Sequence, residues 1–253
     1  MGLLHFKDAV FRYEPYPIGI VKPVLEEGLY REMVESYPPL DLFMHLSKVG
    51  HKYVLSEKFN SESYHRFIED TPVWKRLHQW IKSDAFIDSV DAMLRENAID
   101  LGIGRVAPDA AKKWRRAWSD LKRGRFPRIA PGLRARFEFS MLPADGGYIL
   151  PHTDTPKKII TLIVSTFKEG EWDPSFGGGT EIVRPADSRR NYNWLNDNVP
   201  FEEVETLGSY EFAPNQCVVF IKTFNSLHCV RPMTGSGNSS MRKTLTINIE
   251  RDE

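Results

Sequence analysis

Three side chains that lie far apart in the sequence have the chemical types that bind a transition metal. His152 and Asp154 stand two residues apart, and His228 follows 76 residues after His152. Two imidazoles and one carboxylate can occupy one face of an octahedral metal and leave three positions open, which suits ferrous iron that binds a co-substrate and O₂ together. Because residues i and i+2 of a strand share a face, His152 and Asp154 can converge on one ion at a strand end.

An arginine further along the chain could bind a carboxylate. Arg242 lies 14 residues after His228, and a planar guanidinium pairs through two hydrogen bonds with a carboxylate in a pocket partly closed to water. In the predicted strand 242–250, Arg242 and Thr246 share one face and apolar residues occupy the other. We therefore expect both to face a cavity. The alternative is an exposed arginine at a strand end beside Lys243.

Each of these features is weak when taken alone. An H-x-D triplet arises commonly by chance in surface loops, and a lone His228 is more often structural. The combination is more specific, because the triplet follows a Gly-Gly turn and precedes a hydrophobic stretch, while His228 follows another apolar stretch and Arg242 opens the last predicted strand. The pattern predicts one site built from several strands.

The first half of the chain has the apolar spacing of helices. One helix is predicted between Pro23 and Pro38, a second begins at Thr71 with Pro72 in its first turn, and a third begins at Ser83. We expect residues 1–130 to form a mainly helical scaffold packed on the remainder of the chain.

From residue 131 onward the pattern changes to short β-branched and apolar stretches separated by turns. This pattern predicts an all-β sandwich or barrel in residues 131–253, and we expect it to form one integrated domain with the scaffold. The predicted strands cover residues 134–142, 158–167, 177–184, 216–221 and 242–250.

Composition excludes few functions. The 34 Lys and Arg balance the 34 Asp and Glu, so charge favours neither nucleic acid nor membrane partners. No apolar run approaches the ~18 residues of a membrane span, and the first ten residues lack a signal-peptide core. The two cysteines are too few for a disulfide framework, which favours a reducing cytoplasm.

Residues 105–136 are locally basic, with eleven Lys or Arg and two acidic residues. A solvated helix whose tryptophans, Trp114 and Trp118, contact the core is the simpler interpretation. The alternative is an electropositive rim that attracts an anionic substrate. No nucleic-acid-binding motif accompanies the charge.

The motifs GGYILPHTD, FGGGTEIV, HCVRP and RKTLTI resemble those of the Fe(II)/2-oxoglutarate-dependent dioxygenases, specifically the prolyl-hydroxylase-like branch. The resemblance covers roughly residues 133–250. It implies a mainly β fold with α-helices, in which N-terminal helices buttress a double-stranded β-helix, also called a jelly roll or cupin-like core, of two four-stranded sheets.

The same resemblance assigns roles to single residues. It implies that His152, Asp154 and His228 bind Fe(II) and that Arg242 binds the C5 carboxylate of the co-substrate 2-oxoglutarate. Two hydroxyls are further candidates for binding 2-oxoglutarate: Thr246 could add a contact to that carboxylate, and Ser165 stands where many relatives place a tyrosine.

The implied reaction consumes O₂ and 2-oxoglutarate, releases succinate and CO₂, and hydroxylates an unactivated C–H bond of a small molecule or a protein side chain. An intact Asp154 favours hydroxylation, or desaturation as a variant, over halogenation, because halogenating relatives carry a small residue there. Two departures from the family pattern leave details open. The long interval between His228 and Arg242 makes Arg231 a rival carboxylate ligand, and Leu142 stands where several relatives carry a tyrosine.

Two other functions remain open at this point. A site of two histidines and one aspartate also suits Zn²⁺, which would activate water for hydrolysis, but a hydrolase leaves Arg242 without a role. A non-catalytic jelly-roll binding module would keep the fold and lose the chemistry.

Overall fold

The computed structural model of the chain describes residues 2–102 and 132–251. Within residues 2–102 the predicted scaffold has the three predicted helices and a fourth, α2, that was not predicted, and it also contributes four short strands that sequence patterns did not predict. The helices are α1 (Glu27–Glu35), α2 (Ser61–Asp70), α3 (Pro72–Ile81) and α4 (Asp84–Glu96), and the strands are β1 (Val10–Arg12), β2 (Ile18–Val21), β3 (Met44–Leu46) and β4 (Lys52–Ser56).

The second half of the described chain is almost entirely β. Its strands are β5 (Leu133–Pro143), β6 (Ile149–His152), β7 (Lys158–Ser165), β8 (Thr180–Pro185), β9 (Val204–Tyr210), β10 (Cys217–Ile221), β11 (His228–Val230) and β12 (Met241–Arg251). The five predicted strands correspond to β5, β7, β8, β10 and β12. No bounds were predicted for β6, β9 and β11, although His152 was expected at a strand end and His228 on a later strand, as β6 and β11 place them.

The strands form two antiparallel sheets with the topology of a jelly roll. The large sheet has the order β1-β2-β10-β7-β12-β5-β4-β3, and the small sheet has the order β6-β11-β8-β9. From β5 to β12 the chain passes repeatedly between the central strands of the large sheet and the small sheet. The predicted double-stranded β-helix is therefore confirmed.

The large sheet is wider than the predicted four strands. Strand β2 pairs with β10 at one edge, and β4 pairs with β5 at the other. The N-terminal strands are therefore hydrogen-bonded directly to the jelly roll. The predicted boundary near residue 130 lies outside the described residues, as does most of the basic segment 105–136 with both of its tryptophans.

All four described helices share one hydrophobic core with the large sheet. Trp74 of α3 is fully buried, and its ring centroid lies 4.7 Å from that of Phe139 on β5. Burying one such aromatic side chain contributes roughly 1.5–3 kcal/mol. The helices thus hold the sheet whose other face lines the candidate site.

Two of the predicted helix starts are in the predicted places. Pro72 occupies the first turn of α3 after the extended residue Thr71, and α4 begins directly after the extended residue Ser83. Neither hydroxyl makes a capping hydrogen bond. That of Ser83 donates instead to the carbonyl oxygen of Trp80, at 2.6 Å. Among the described helices, none has the length and apolar character needed to cross a bilayer.

Candidate metal centre and co-substrate pocket

The two predicted imidazole ligands are neighbours across the small sheet. Strand β6 ends at His152, β11 begins at His228, and the two residues pair directly in the antiparallel register, with ring centroids 4.4 Å apart. Each Nδ1 lies against a backbone carbonyl oxygen two residues earlier, 2.9 Å from Leu150 and 3.0 Å from Ser226. Because a carbonyl only accepts, each Nδ1 carries the proton and each Nε2 keeps a free lone pair for a metal.

Asp154 follows β6 in a left-handed backbone conformation, with φ of 60°, which aspartate adopts more readily than most residues. Its carboxylate is held at both oxygens from β7: Lys158 Nζ donates to Oδ1 at 2.6 Å, and Thr161 Oγ1 donates to Oδ2 at 2.8 Å. These contacts orient the carboxylate toward the histidines, and His152 Nε2 lies 4.0 Å from Oδ1.

One ligand atom from each of His152, Asp154 and His228 lies within 4.8 Å of the other two. Metal–ligand distances for nitrogen and oxygen are about 2.0–2.2 Å, so small side-chain rotations bring all three onto one ion. The donor set and its convergence fit a divalent transition metal such as Fe(II).

The protonation states also fit a metal. Burial lowers the pKa of His228 to about 3, with a further contribution from the adjacent His152, and burial likewise lowers the pKa of His152. For Asp154, burial alone would raise the pKa, but the charge of Lys158 and the two imidazoles outweigh it, and the pKa lies below its ordinary value. Neutral imidazoles and an ionised carboxylate are the forms that bind metal.

Arg242 opens β12 as a buried cation, with 5% of its surface exposed. Its Nε donates to the carbonyl oxygen of Gly178 at 2.5 Å, and its guanidinium carbon lies 4.6 Å from the ring centroid of Phe212. Burial lowers its pKa to about 10, with partial compensation from Tyr37. No carboxylate of the described residues pairs with Arg242, and its terminal nitrogens have no hydrogen-bond partner among them. Since burial of an unpaired charge costs several kcal/mol, an anion is expected here.

The Gly-Gly-Gly motif before β8 contains Gly178, whose carbonyl oxygen accepts the hydrogen bond from Arg242. Gly178 has φ of 84°. A side chain there would meet Trp172 at 3.1 Å, the Met233 sulfur at 3.2 Å and Arg242 Cδ at 3.3 Å. Glycine therefore allows the backbone to approach and to present its carbonyl oxygen to the guanidinium.

The triad and the arginine line the same small cavity, of about 110 Å³. It lies between the two sheets, with the imidazoles on one side and β5, β7 and β12 on the other. The lining includes all three predicted metal ligands and two of the predicted 2-oxoglutarate ligands: His152, Asp154, His228, Arg242 and Thr246.

Ser165 is not part of this lining. It is buried on β7 beside Thr244 of β12, and its role in binding 2-oxoglutarate stays a prediction. The rival arginine, Arg231, is already paired, because its Nε donates to Glu181 Oε2 at 2.9 Å. Of the two arginines, Arg242 is the one placed in the cavity.

Sequence reasoning missed several polar side chains around the triad. Lys158 and Thr161 hold Asp154, and Lys222 Nζ donates to Thr153 between the ligands, at 2.7 Å to the hydroxyl and 3.1 Å to the carbonyl oxygen. The sequence contained two indications of these contacts: Thr161 is a polar residue within the apolar strand β7, and Lys222 directly follows the apolar strand β10.

No protein-family model and no curated protein matches this sequence. Among solved structures, a prolyl-4-hydroxylase from Pseudomonas putida is similar over 93% of this chain and 93% of its own, with 13% identity and a TM-score of 0.50. A prolyl hydroxylase from Trichoplax adhaerens, in complex with a hypoxia inducible factor peptide fragment, is 12% identical over 92% of this chain and 83% of its own, with a TM-score of 0.46.

HygX from Streptomyces hygroscopicus, with nickel and 2-oxoglutarate bound, is 9% identical over 92% of this chain and 82% of its own, with a TM-score of 0.47. At these identities the likeness concerns the fold, and of these three structures the one from Pseudomonas putida is similar enough to support that conclusion. This chain has the double-stranded β-helix fold of that prolyl-4-hydroxylase, with a His-Asp-His triad inside it.

Proposed function

We propose that this protein is an Fe(II)- and 2-oxoglutarate-dependent dioxygenase that hydroxylates a C–H bond. The observation that supports this function best is the shared cavity, in which the buried, unpaired guanidinium of Arg242 lies with the three metal ligands. A dicarboxylic 2-oxo acid has the matching chemistry, with a 2-oxo acid group for a metal at one end and a carboxylate for an arginine at the other.

In this proposal each residue of the cavity has a defined task. His152, Asp154 and His228 hold the iron, which together with 2-oxoglutarate and O₂ supplies the oxidising chemistry. Arg242 anchors the far carboxylate, with Thr246 as a second hydrogen-bond donor. Phe212 packs over the guanidinium and excludes water from it, which strengthens its attraction for a carboxylate.

The alternative functions use less of the site. A zinc hydrolase needs the triad alone and leaves a buried cation without an anion. A non-catalytic binding module gives no role to the triad or to Arg242. For the substrate we infer a small molecule or a protein side chain. We also infer a reducing cytoplasmic location, supported by two buried free thiols, Cys217 and Cys229. Fractionation of intact cells followed by immunodetection tests the location, and recovery outside the cytoplasmic fraction would contradict it.

The function is tested by anaerobic reconstitution with Fe(II) and 2-oxoglutarate. We expect a weak visible charge-transfer band and, after O₂ is admitted with a set of candidate substrates, succinate formation. His152→Ala is the control that should lose both. Metal binding without the band would favour the hydrolase, and failure to bind Fe(II) with 2-oxoglutarate would favour the non-catalytic module. Either result would contradict the proposal.

A further inference from the structure

A second, larger cleft adjoins the metal cavity. It has a volume of about 460 Å³ and shares Glu138 and Lys158 with the cavity. Lys158 donates a hydrogen bond to the carboxylate of Asp154, one of the proposed metal ligands. The side chain of Lys158 therefore lies between the cleft and the proposed metal site. Its volume lies in the range of about 300–1,000 Å³ that is typical of small-molecule sites.

The walls of this cleft are strongly basic. Six cationic side chains line it against three acidic ones, Glu57, Glu138 and Glu250, which gives a local net charge of +3 on a chain whose total charge is zero. The cations come from four separate parts of the fold: Lys58, Lys82, Arg134, Arg136, Lys157 and Lys158.

The three acids are already engaged, so they do not neutralise the whole wall. Glu250 accepts from Arg136 at 2.8 Å. The carboxylate of Glu57 lies 2.8 Å from Lys82 Nζ. Glu138 pairs at 2.7 Å with a lysine outside this cleft, Lys52. This pairing takes one acid away from the wall, just as the contact with Asp154 takes away one cation, Lys158, so the excess of positive charge is unchanged.

Lys58 and Phe59 give the cleft an amphiphilic end. Lys58 is exposed and makes no ion pair with a described carboxylate, and its Nζ lies 5.3 Å from the ring centroid of Phe59. Phe59 is itself 37% exposed. An exposed aromatic ring beside a free ammonium group suits a ligand that carries an apolar part and an anionic group.

We propose that this cleft binds the carboxylate or phosphate group of an amphiphilic small-molecule substrate and thereby presents a neighbouring carbon to the metal centre. This inference rests on the proposed dioxygenase function and adds the chemical class of the substrate. The apolar part packs on Phe59, and the anionic group is held by Lys58 and Arg136. Arg136 is a planar donor already oriented by Glu250.

Binding of phenyl phosphate, phenylacetate and phenol is the direct test, measured by calorimetry without O₂ on protein loaded with Mn(II) and saturated with 2-oxoglutarate. Because saturating 2-oxoglutarate occupies Arg242, heat released on addition of one of these compounds reports binding at another site. We expect at least one of the two anions to bind and phenol not to bind, and their relative affinities separate a phosphate site from a carboxylate site.

Variants locate the binding. Lys58→Glu is exposed and tolerable for folding, and it should weaken binding of the anion about tenfold or more through loss of attraction and added repulsion. Phe59→Ala should weaken binding of the aromatic anion and not of inorganic phosphate. Arg189→Glu is the matched control, because it changes the net charge by the same amount and Arg189 is an exposed cation that does not line the cleft.

The results separate the two proposals. Anion binding that depends on Lys58 in a protein that shows no 2-oxoglutarate chemistry would keep the cleft and overturn the dioxygenase. Normal 2-oxoglutarate chemistry with no anion binding, or with anion binding unchanged in Lys58→Glu, would overturn the cleft proposal alone. Binding of an acidic peptide but of neither small anion would also overturn it.

Discussion

The two sheets make different contributions to the cavity between them. The small sheet carries both imidazoles, at directly paired positions of β6 and β11. The large sheet carries Arg242 and the side chains that orient Asp154. The large sheet shares its core with all four described helices, whereas β9 at the edge of the small sheet is largely solvent-accessible.

This difference separates two tasks. The proposed anchor for an anion belongs to the sheet that the helices cover, while two of the proposed metal ligands belong to the thinner sheet. Local opening has the lowest free energy where few apolar contacts are buried. We therefore expect the small sheet to exchange amide hydrogens faster than β7, β10 and β12, and metal binding to slow that exchange.

The largest expected effect follows from loss of an imidazole on the small sheet. His228→Ala leaves one histidine and one carboxylate, so Fe(II) binding and succinate formation should both be lost, while the metal-free protein should stay folded with a lower melting temperature, because a buried side chain is removed. Metal titration and calorimetry measure the two effects. His65→Ala is the control, because His65 lies on α2, away from the cavity. Retained iron binding in His228→Ala would contradict the assignment of this ligand.

A smaller effect is expected from Arg242→Met on the large sheet. Loss of two charge-assisted hydrogen bonds should raise the dissociation constant for 2-oxoglutarate about 10–100-fold, with Fe(II) affinity retained. Because a buried cation without an anion is replaced by an apolar side chain, the protein without co-substrate should become more stable, by about 1–4 kcal/mol. Chemical denaturation with and without 2-oxoglutarate measures both. A lower stability without co-substrate would mean that Arg242 is paired in solution.

Thr161→Val tests whether the large sheet also supports the metal. The substitution is nearly isosteric and removes the hydroxyl that donates to Asp154 Oδ2. Loss of such a supporting contact reduces metal affinity about 10–100-fold in known sites, and we expect the lower end of that range because Lys158 still holds the other oxygen. Thr223→Val, outside the cavity lining, is the control. Unchanged Fe(II) affinity would show that Lys158 alone suffices.

The smallest effect concerns pH. The folded pKa of His228 lies at about 3, below its unfolded value, so the unfolded chain binds more protons. The metal-free protein should therefore lose stability as pH falls below about 6.5, by at most ~1.4 kcal/mol per pH unit for this group. Chemical denaturation of wild type and His228→Leu from pH 7 to pH 5 measures the difference, and a slope that the substitution leaves unchanged would contradict it.

The sequence was most informative where chemistry restricts residue types. The metal ligands and Arg242 could be selected because few side chains perform their tasks, and strand parity correctly placed Arg242 and Thr246 on the cavity side of β12. The long strands β5, β7 and β12 were predictable because their β-branched and alternating patterns extend over eight residues or more.

Short elements and tertiary contacts were not predictable in the same way. Strands β6 and β11 have four and three residues, too few for a periodic pattern. The hydrogen bond from Lys158 to Asp154 depends on the left-handed backbone conformation of Asp154, which no local sequence pattern specifies. Strands β1 to β4 form because the jelly roll offers edges to them, and that is a property of the assembled sheet.

The N-terminal strands at those edges bear on how the protein can be divided. With β2 on β10 and β4 on β5, neither flank of the central four strands is left open. A fragment that starts at residue 132 would expose two rows of unpaired amide and carbonyl groups, which are templates for intermolecular pairing. Expression of the jelly roll alone should yield aggregates, and co-expression with residues 2–102 should restore solubility.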